Sequence, residues 1–100
     1  MAKWHKVVAE DGFKTTYCFF HRRKQFAIFR LEDGVYATDN SCSHEYSPLC
    51  EGMIVEGDVY CPKHGSRFDI RTGAVKDFPA TRPVKTYETK VEDGFVWIKA

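Results

Sequence analysis

At 100 residues and 11.6 kDa the chain has room for one hydrophobic core, so a single domain over residues 1–100 is expected. A hydrophobic fraction of 43% beside 29% charged residues excludes disordered, collagenous and low-complexity classes. The net charge of +1 hides a partition: seven Lys/Arg against two acids over 1–30, seven acids and no Lys or Arg over 31–60, and eight basic against five acidic residues over 61–100. A basic nucleic-acid binder would not keep that acidic middle third.

In chain order, residues 3–9 (Lys-Trp-His-Lys-Val-Val-Ala) read as a first strand and Asp11-Gly12 as a turn. Residues 13–20, rich in Thr, Tyr and Phe, read as a second strand. Residues 24–31 set Phe26, Ile28 and Leu31 against Lys24, Ala27 and Arg30, with Phe29 breaking the alternation. Asp33-Gly34 signals a hairpin into Val35–Thr38. Residues 39–52 are irregular. A short strand is expected at 58–61, and residues 62–67 are again loop-like. Phe68–Ile70 and Thr72-Gly73 read as strand and turn. A last hairpin spans 84–91 and 95–99 around Asp93-Gly94.

Many short strands cut by turns predict an all-β fold, an antiparallel sandwich or barrel interrupted by two Cys/His-bearing loops. The longest apolar run is a few residues, too short to span a membrane. Met-Ala-Lys-Trp-His-Lys leads into no signal-type apolar stretch. A cytoplasmic protein is expected, and its four cysteines are expected as metal ligands or free thiols rather than disulfides. So small a core is marginally stable alone, so any cross-link or bound metal matters to it.

The two loops carry Cys42-Ser43-His44 and Cys61-Pro62-Lys63-His64, with sixteen residues between His44 and Cys61. Two thiolates and two imidazoles suit zinc or iron, whereas magnesium and calcium want oxygen. A zinc finger pairs Cys with Cys and His with His. Here each loop offers one of each, so both cysteines can take one metal atom while both histidines take its neighbour. That is the ligation of a Rieske [2Fe–2S] centre.

The pattern C-x-H-x16-C-x-x-H resembles the Rieske iron–sulfur family. Cys61-Pro62-Lys63-His64-Gly65 is similar to its second cluster-binding loop, and Phe68-Asp69, Thr72-Gly73 and Phe78-Pro79-Ala80 to its F-D-x-x-T-G and x-P-A continuation. Within the family the chain looks most like the small ferredoxins of bacterial aromatic-ring dioxygenase systems. The resemblance implies a Rieske-like antiparallel β-sandwich or barrel with a two-loop cluster-binding subdomain, the loops at about 39–52 and 61–67. It implies one [2Fe–2S] cluster, Cys42 and Cys61 on one iron, His44 and His64 on the other through Nδ1, with the imidazole edges as the electron port.

Departures from the high-potential members bear on the midpoint potential. Those members carry two additional cysteines that form a disulfide between the loops; here Ser47 and Lys63 stand in those positions. Ser66 matches a serine that donates to a bridging sulfide, while Phe68 replaces a tyrosine donor. A potential negative of the hydrogen electrode is expected, low in the family's range of ~−150 to +300 mV. Glu45, where ferredoxin relatives commonly have Gly, would disfavour adding an electron and raise the imidazole pKa values if it faces the cluster, and has no effect if it points to water. Pro79 is read as part of a loop covering the cluster, or as a plain turn former. Glu45, Glu51, Glu56 and Asp58 beside Lys63, Arg67 and Arg71 suggest a docking face of mixed sign.

Cys50 and Cys18 are expected as free thiols, the latter in the core. His5 and His21 are expected on the surface, and Trp97 and Tyr36 in the core. The function implied is a soluble one-electron carrier of aromatic hydrocarbon catabolism, a monomer without a catalytic site. Its implied partners are a flavin-containing ferredoxin reductase and a terminal oxygenase, not nucleic acid or membrane. The alternatives are a Rieske-type redox-sensing or regulatory subunit, and a structural Cys2His2 zinc domain.

Overall fold

Phe26, Ala27, Ile28 and Phe29 are consecutive, and each is at most 2% exposed. Successive strand residues point to opposite faces, so four in a row are buried only where both faces are covered. In this computed structural model, which describes residues 2–41, 47–63, 65–78 and 80–100, Phe26 and Ile28 enter one core. Ala27 and Phe29 enter another. The strand holding them, β3 (Lys24–Leu31), is thus a wall shared by two bodies. The break in alternation at Phe29 has this cause.

The larger body is a six-stranded antiparallel sheet in the order β1-β10-β9-β4-β3-β2. Its other strands are β1 (Trp4–Ala9), β2 (Thr16–His21), β4 (Gly34–Asp39), β9 (Thr86–Glu92) and β10 (Phe95–Lys99). Val7 and Val8 of β1 and Tyr17 and Phe19 of β2 pack on the same core as Phe26, Ile28, Ala37, Val96 and Ile98. Both edge strands reach one core, so the sheet curls into a nearly closed barrel. The smaller body is a four-stranded sheet, β5 (Met53–Val55), β6 (Asp58–Tyr60), β7 (Arg67–Asp69) and β8 (Val75–Asp77), in sequential order. Among the described residues there is no α-helix, only a 3-10 turn over Leu49–Glu51. This is the all-β, barrel-like architecture expected. The small sheet's first and last strands are three residues each and carry no sequence pattern.

Three two-residue hairpin turns hold positive φ at both positions: Arg22-Arg23 (49° and 68°), Glu56-Gly57 (50° and 84°) and Asp93-Gly94 (55° and 81°). That backbone matches the right-handed strand twist and favours Asn or Gly. The first turn uses two arginines, so it gives no local signal. Trp97 lies opposite the buried Val96 and Ile98 along β10 and is only partly buried, its Nε1–H donating to Glu92 O at 3.1 Å. It is not the core aromatic expected. Tyr36 packs against the second core while donating through its hydroxyl to Asp33.

The barrel's edges meet at His5 on β1 and His21 on β2, ring centroids 4.4 Å apart. These are not the isolated surface histidines expected. His21 also stacks on Phe19 at 5.8 Å, and its Nε2 is buried with no hydrogen-bond partner among the described residues. Burial, the His5 imidazole and Arg22 hold its pKa below the ordinary histidine value. The unfolded chain therefore takes up a proton near pH 6.5 that the folded chain refuses, and His21 disfavours folding as pH falls through that value. Thermal melts are expected to show stability dropping between about pH 7.5 and about pH 5.5. In His21→Phe the drop should be smaller; an equal drop would assign the titration elsewhere.

Candidate metal centre

The second core lies between β3 and the small sheet. Ala27 and Phe29 face Leu49, Cys50, Val59, Cys61, Phe68, Ile70, Ala80 and Val84. Large fully buried side chains such as Phe29 and Phe68 each contribute ~1.5–3 kcal/mol. This core fixes the small sheet to the barrel, and both predicted ligand loops leave from its rim.

The first loop starts where β4 ends, and its two ends are fastened side by side. Ser41 and Pro48 form an isolated antiparallel bridge. Leu49 N–H donates to Asn40 O at 2.6 Å, and Cys50 N–H donates to Asn40 Oδ1 at 2.8 Å. Asn40 Nδ2 in turn donates to Gln25 Oε1 at 3.1 Å. Asn40 is 1% exposed. Burying an amide is favourable only when its groups are paired, as these are. Sequence reasoning missed Asn40, because its side-chain partners are ten and fifteen residues away and residues 39–52 read locally only as irregular.

Cys50 is also covalently tied. It forms a disulfide with Cys18 on β2, with Cα atoms 5.3 Å apart. The expectation of two free thiols is corrected. A pairing across 32 residues depends on tertiary proximity that neither local pattern carries. The bond also excludes Cys18 and Cys50 as thiolate ligands.

The second loop joins β6 to β7 and is closed by its own backbone. Cys61 N–H donates to Ser66 O at 2.7 Å, and Gly65 N–H donates to Cys61 O at 3.0 Å. Gly65 has φ +75°, a conformation natural to glycine. Cys61 is 3% exposed and its thiol is unbonded. Ser66 is fully buried, and its Oγ accepts from Ala80 N–H at 2.9 Å. Because Ser66 acts there as acceptor, its own O–H remains to donate. Phe68 is fully buried in the core that also holds Cys61. Cys42, His44, Glu45, His64 and Pro79 lie outside the described residues. The described remainder suits a soft metal group: one buried free thiol, one buried hydroxyl donor and an apolar floor.

The two loops are brought together at their bases. Gly52, which follows the 3-10 turn, lies so close to β6 that a Cβ on it would collide with Tyr60 O and stand 2.9 Å from Val59 Cγ2. Tyr60 directly precedes Cys61, so the exit of the first loop touches the entrance of the second.

The charges expected on a docking face are partly spent internally. Asp58 is 7% exposed and pairs with Lys76 at 2.8 Å and Arg67 at 3.7 Å. Arg67 also pairs with Asp77 at 2.9 Å, and Arg71 with Asp33 at 2.8 Å. Asp33 lies below the usual carboxylate range because Arg71 and Tyr36 donate to it. Asp58, Arg67 and Arg71 therefore brace the small sheet, while Glu51 and Glu56 remain exposed.

The Rieske [2Fe-2S] domain family matches residues 3–88. The chain is 39% identical over 98 residues to the anthranilate 1,2-dioxygenase ferredoxin subunit of Burkholderia cepacia, covering 96% of this chain and 91% of that protein. Its fold is similar to that of a Sphingomonas yanoikuyae B1 ferredoxin, with TM-score 0.91 and 32% identity over 98% of this chain and 99% of that one. It is likewise similar to a chain in the complex of reduced oxygenase and oxidized ferredoxin in carbazole 1,9a-dioxygenase, with TM-score 0.89 and 31% identity over 95% and 91% of the two chains.

Proposed function

The chain belongs to the Rieske [2Fe-2S] domain family, and on that premise we propose that it is the ferredoxin component of an aromatic-ring-hydroxylating oxygenase system. In that role it carries one electron at a time from a flavin-containing ferredoxin reductase to the terminal oxygenase. The observation that carries this reading is the match to a dioxygenase ferredoxin subunit over nearly the full length of both proteins. The cofactor is one [2Fe–2S] cluster, which when bound stores and releases a single electron.

Cys42 and Cys61 are the thiolate ligands in this reading, and His44 and His64 the imidazole ligands. The free, buried thiol of Cys61 supports it, as does the disulfide that removes the other two cysteines. Residues 1–100 are proposed to act as one unit whose activity is electron transfer. Among the described residues no helix is long and apolar enough to cross a membrane, and a cytoplasmic monomer is proposed. The docking face is proposed on the small-sheet side. Met53 and Phe78 are 64% and 83% exposed there, apolar groups suited to the centre of a transient interface. Purified protein is expected to be brown, to release acid-labile sulfide and to give a rhombic EPR signal on reduction; a colourless zinc protein would overturn the reading. Oxygenase turnover driven by the reductase should stop when this protein is omitted, and undiminished turnover would defeat the carrier role.

Ser66 gives a quantitative handle on the potential. The Ala80 contact uses Ser66 Oγ as an acceptor, and its O–H is proposed to donate to the cluster, favouring the more negative reduced form. If that preference is ~1–2 kcal/mol, Ser66→Ala lowers the midpoint potential by roughly 40–90 mV, since about 59 mV corresponds to a factor of ten for one electron. Phe68→Tyr, which restores a hydroxyl, is expected to move it the other way. Voltammetry of both variants tests this, and an unchanged Ser66→Ala potential would remove Ser66 from the cluster environment.

A further inference from the structure

Two fastenings converge on Cys50, at the closing end of the first ligand loop. One is the Asn40 side chain, whose Oδ1 accepts from Cys50 N–H at 2.8 Å. No redox change touches it. The other is the disulfide to Cys18, which a thiolate can open. The two sulfurs differ in access. Cys50 is 4% exposed and sits in the same core as Cys61. Cys18 is only partly buried and lies on β2, the edge strand of its sheet. The first loop is thus tied to the barrel through a bond with one end in the buried core and the other at Cys18, a partly buried residue of an edge strand that packs against that core.

We infer that Cys18–Cys50 is a second redox site in this protein, a latch on the first ligand loop opened by a vicinal dithiol. The inference rests on the proposal that this loop carries cluster ligands. In the exchange, one thiolate of the dithiol attacks Cys18 Sγ, the Sγ–Sγ bond breaks, and Cys50 leaves as a thiolate and takes a proton. The second thiolate of the reductant then displaces Cys18 from the mixed disulfide, and Cys18 is protonated in turn. Two electrons pass: the protein ends with two thiols and the reductant as its own disulfide. Disulfides of reducing compartments are commonly transient or redox-sensing rather than structural. With the latch open, the loop's end is held by backbone bonds, Asn40 and the packing of Leu49 in the core, with no covalent tie to the barrel. Cluster retention then falls, so the same chain holds its cluster firmly in oxidising conditions and loosely in thiol-reducing ones.

The test uses holo-protein, dithiothreitol and alkylation with mass readout. In untreated protein Cys18 and Cys50 should resist alkylation, and after dithiothreitol both should react. Release of iron into a chelator, followed as bleaching of the visible absorbance, should quicken by roughly tenfold on reduction, as expected when a closed-loop constraint is lost. A Cys18→Ala/Cys50→Ala variant should release at the fast rate with or without dithiothreitol, which separates the latch from thiol attack on the cluster. Two alkylatable thiols in untreated holo-protein, or equal release rates in wild type before and after reduction, would overturn the latch; the wild-type comparison stands even if the variant misfolds. Protein that couples reductase to oxygenase but shows no thiol dependence defeats the latch alone. Protein that never carries a cluster defeats the reading beneath it.

Discussion

Cys61→Ser is expected to yield a colourless protein with no EPR signal on reduction and no coupled oxygenase turnover, whereas Cys50→Ser is expected to be brown, EPR-active and competent in turnover, differing from wild type in releasing its cluster faster. The contrast follows from what each sulfur is bound to. Cys50 is committed to Cys18, and a disulfide sulfur has no thiolate to offer a metal. Cys61 is an unbonded thiol, 3% exposed, held by a backbone loop that closes on itself. A serine hydroxyl there is a hard, weakly acidic oxygen in an apolar site and does not replace a soft thiolate. Stability should separate the variants in a different way. Cys50→Ser opens a link across 32 residues, worth ~3–4 kcal/mol on the loop-entropy account. Cys61→Ser loses whatever folding energy the bound cluster supplies, because a metal site absent from the unfolded chain contributes its binding energy to folding. Iron and sulfide analysis beside thermal melts reads both effects. Retention of the cluster in Cys61→Ser would remove this residue from the ligand set.

Which of these features were legible in the sequence depends on how far apart their causes lie. The ligand motifs are local spacings, and so is the Asp93-Gly94 turn. Phe29, which spoils the alternation of its strand, marks the two-faced strand, although its second partner surface appears only when the small sheet is folded against it. The Arg22-Arg23 turn lacks the residues that usually reveal such backbone, so the β2–β3 hairpin is set by the strands pairing around it. The disulfide, the Asn40 bonds and the internal pairing of Asp58, Arg67 and Arg71 all join distant residues. Charge type and cysteine count are visible in a sequence, but which partner each group finds is a property of the packed chain. For that reason three of the charges assigned to docking, Asp58, Arg67 and Arg71, became braces of the small sheet.

Gly52→Ala is expected to loosen the cluster without touching a ligand. At φ −78° this glycine needs no special backbone freedom, so its requirement is one of space. A Cβ would collide with Tyr60 O and lie 2.9 Å from Val59 Cγ2 and 3.1 Å from Leu49 O. Two of those three obstacles are backbone oxygens, which do not rotate aside as a side chain would. The chain must therefore part between Gly52 and Tyr60, where the exit of the first loop meets the entrance of the second, next to the Met53–Tyr60 pairing of the small sheet. Forcing extra volume into a packed contact costs ~1–3 kcal/mol, and here the upper end applies. Gly94→Ala is the proper comparison. At φ +81° with nothing within 4 Å of its Cβ, it carries only the left-handed penalty of ~1–2 kcal/mol, far from either loop. Both variants should melt earlier than wild type, but only Gly52→Ala should also release iron to a chelator faster. If the two release iron at the same rate, the contact at Gly52 serves stability alone and the bases of the two loops are not coupled through it.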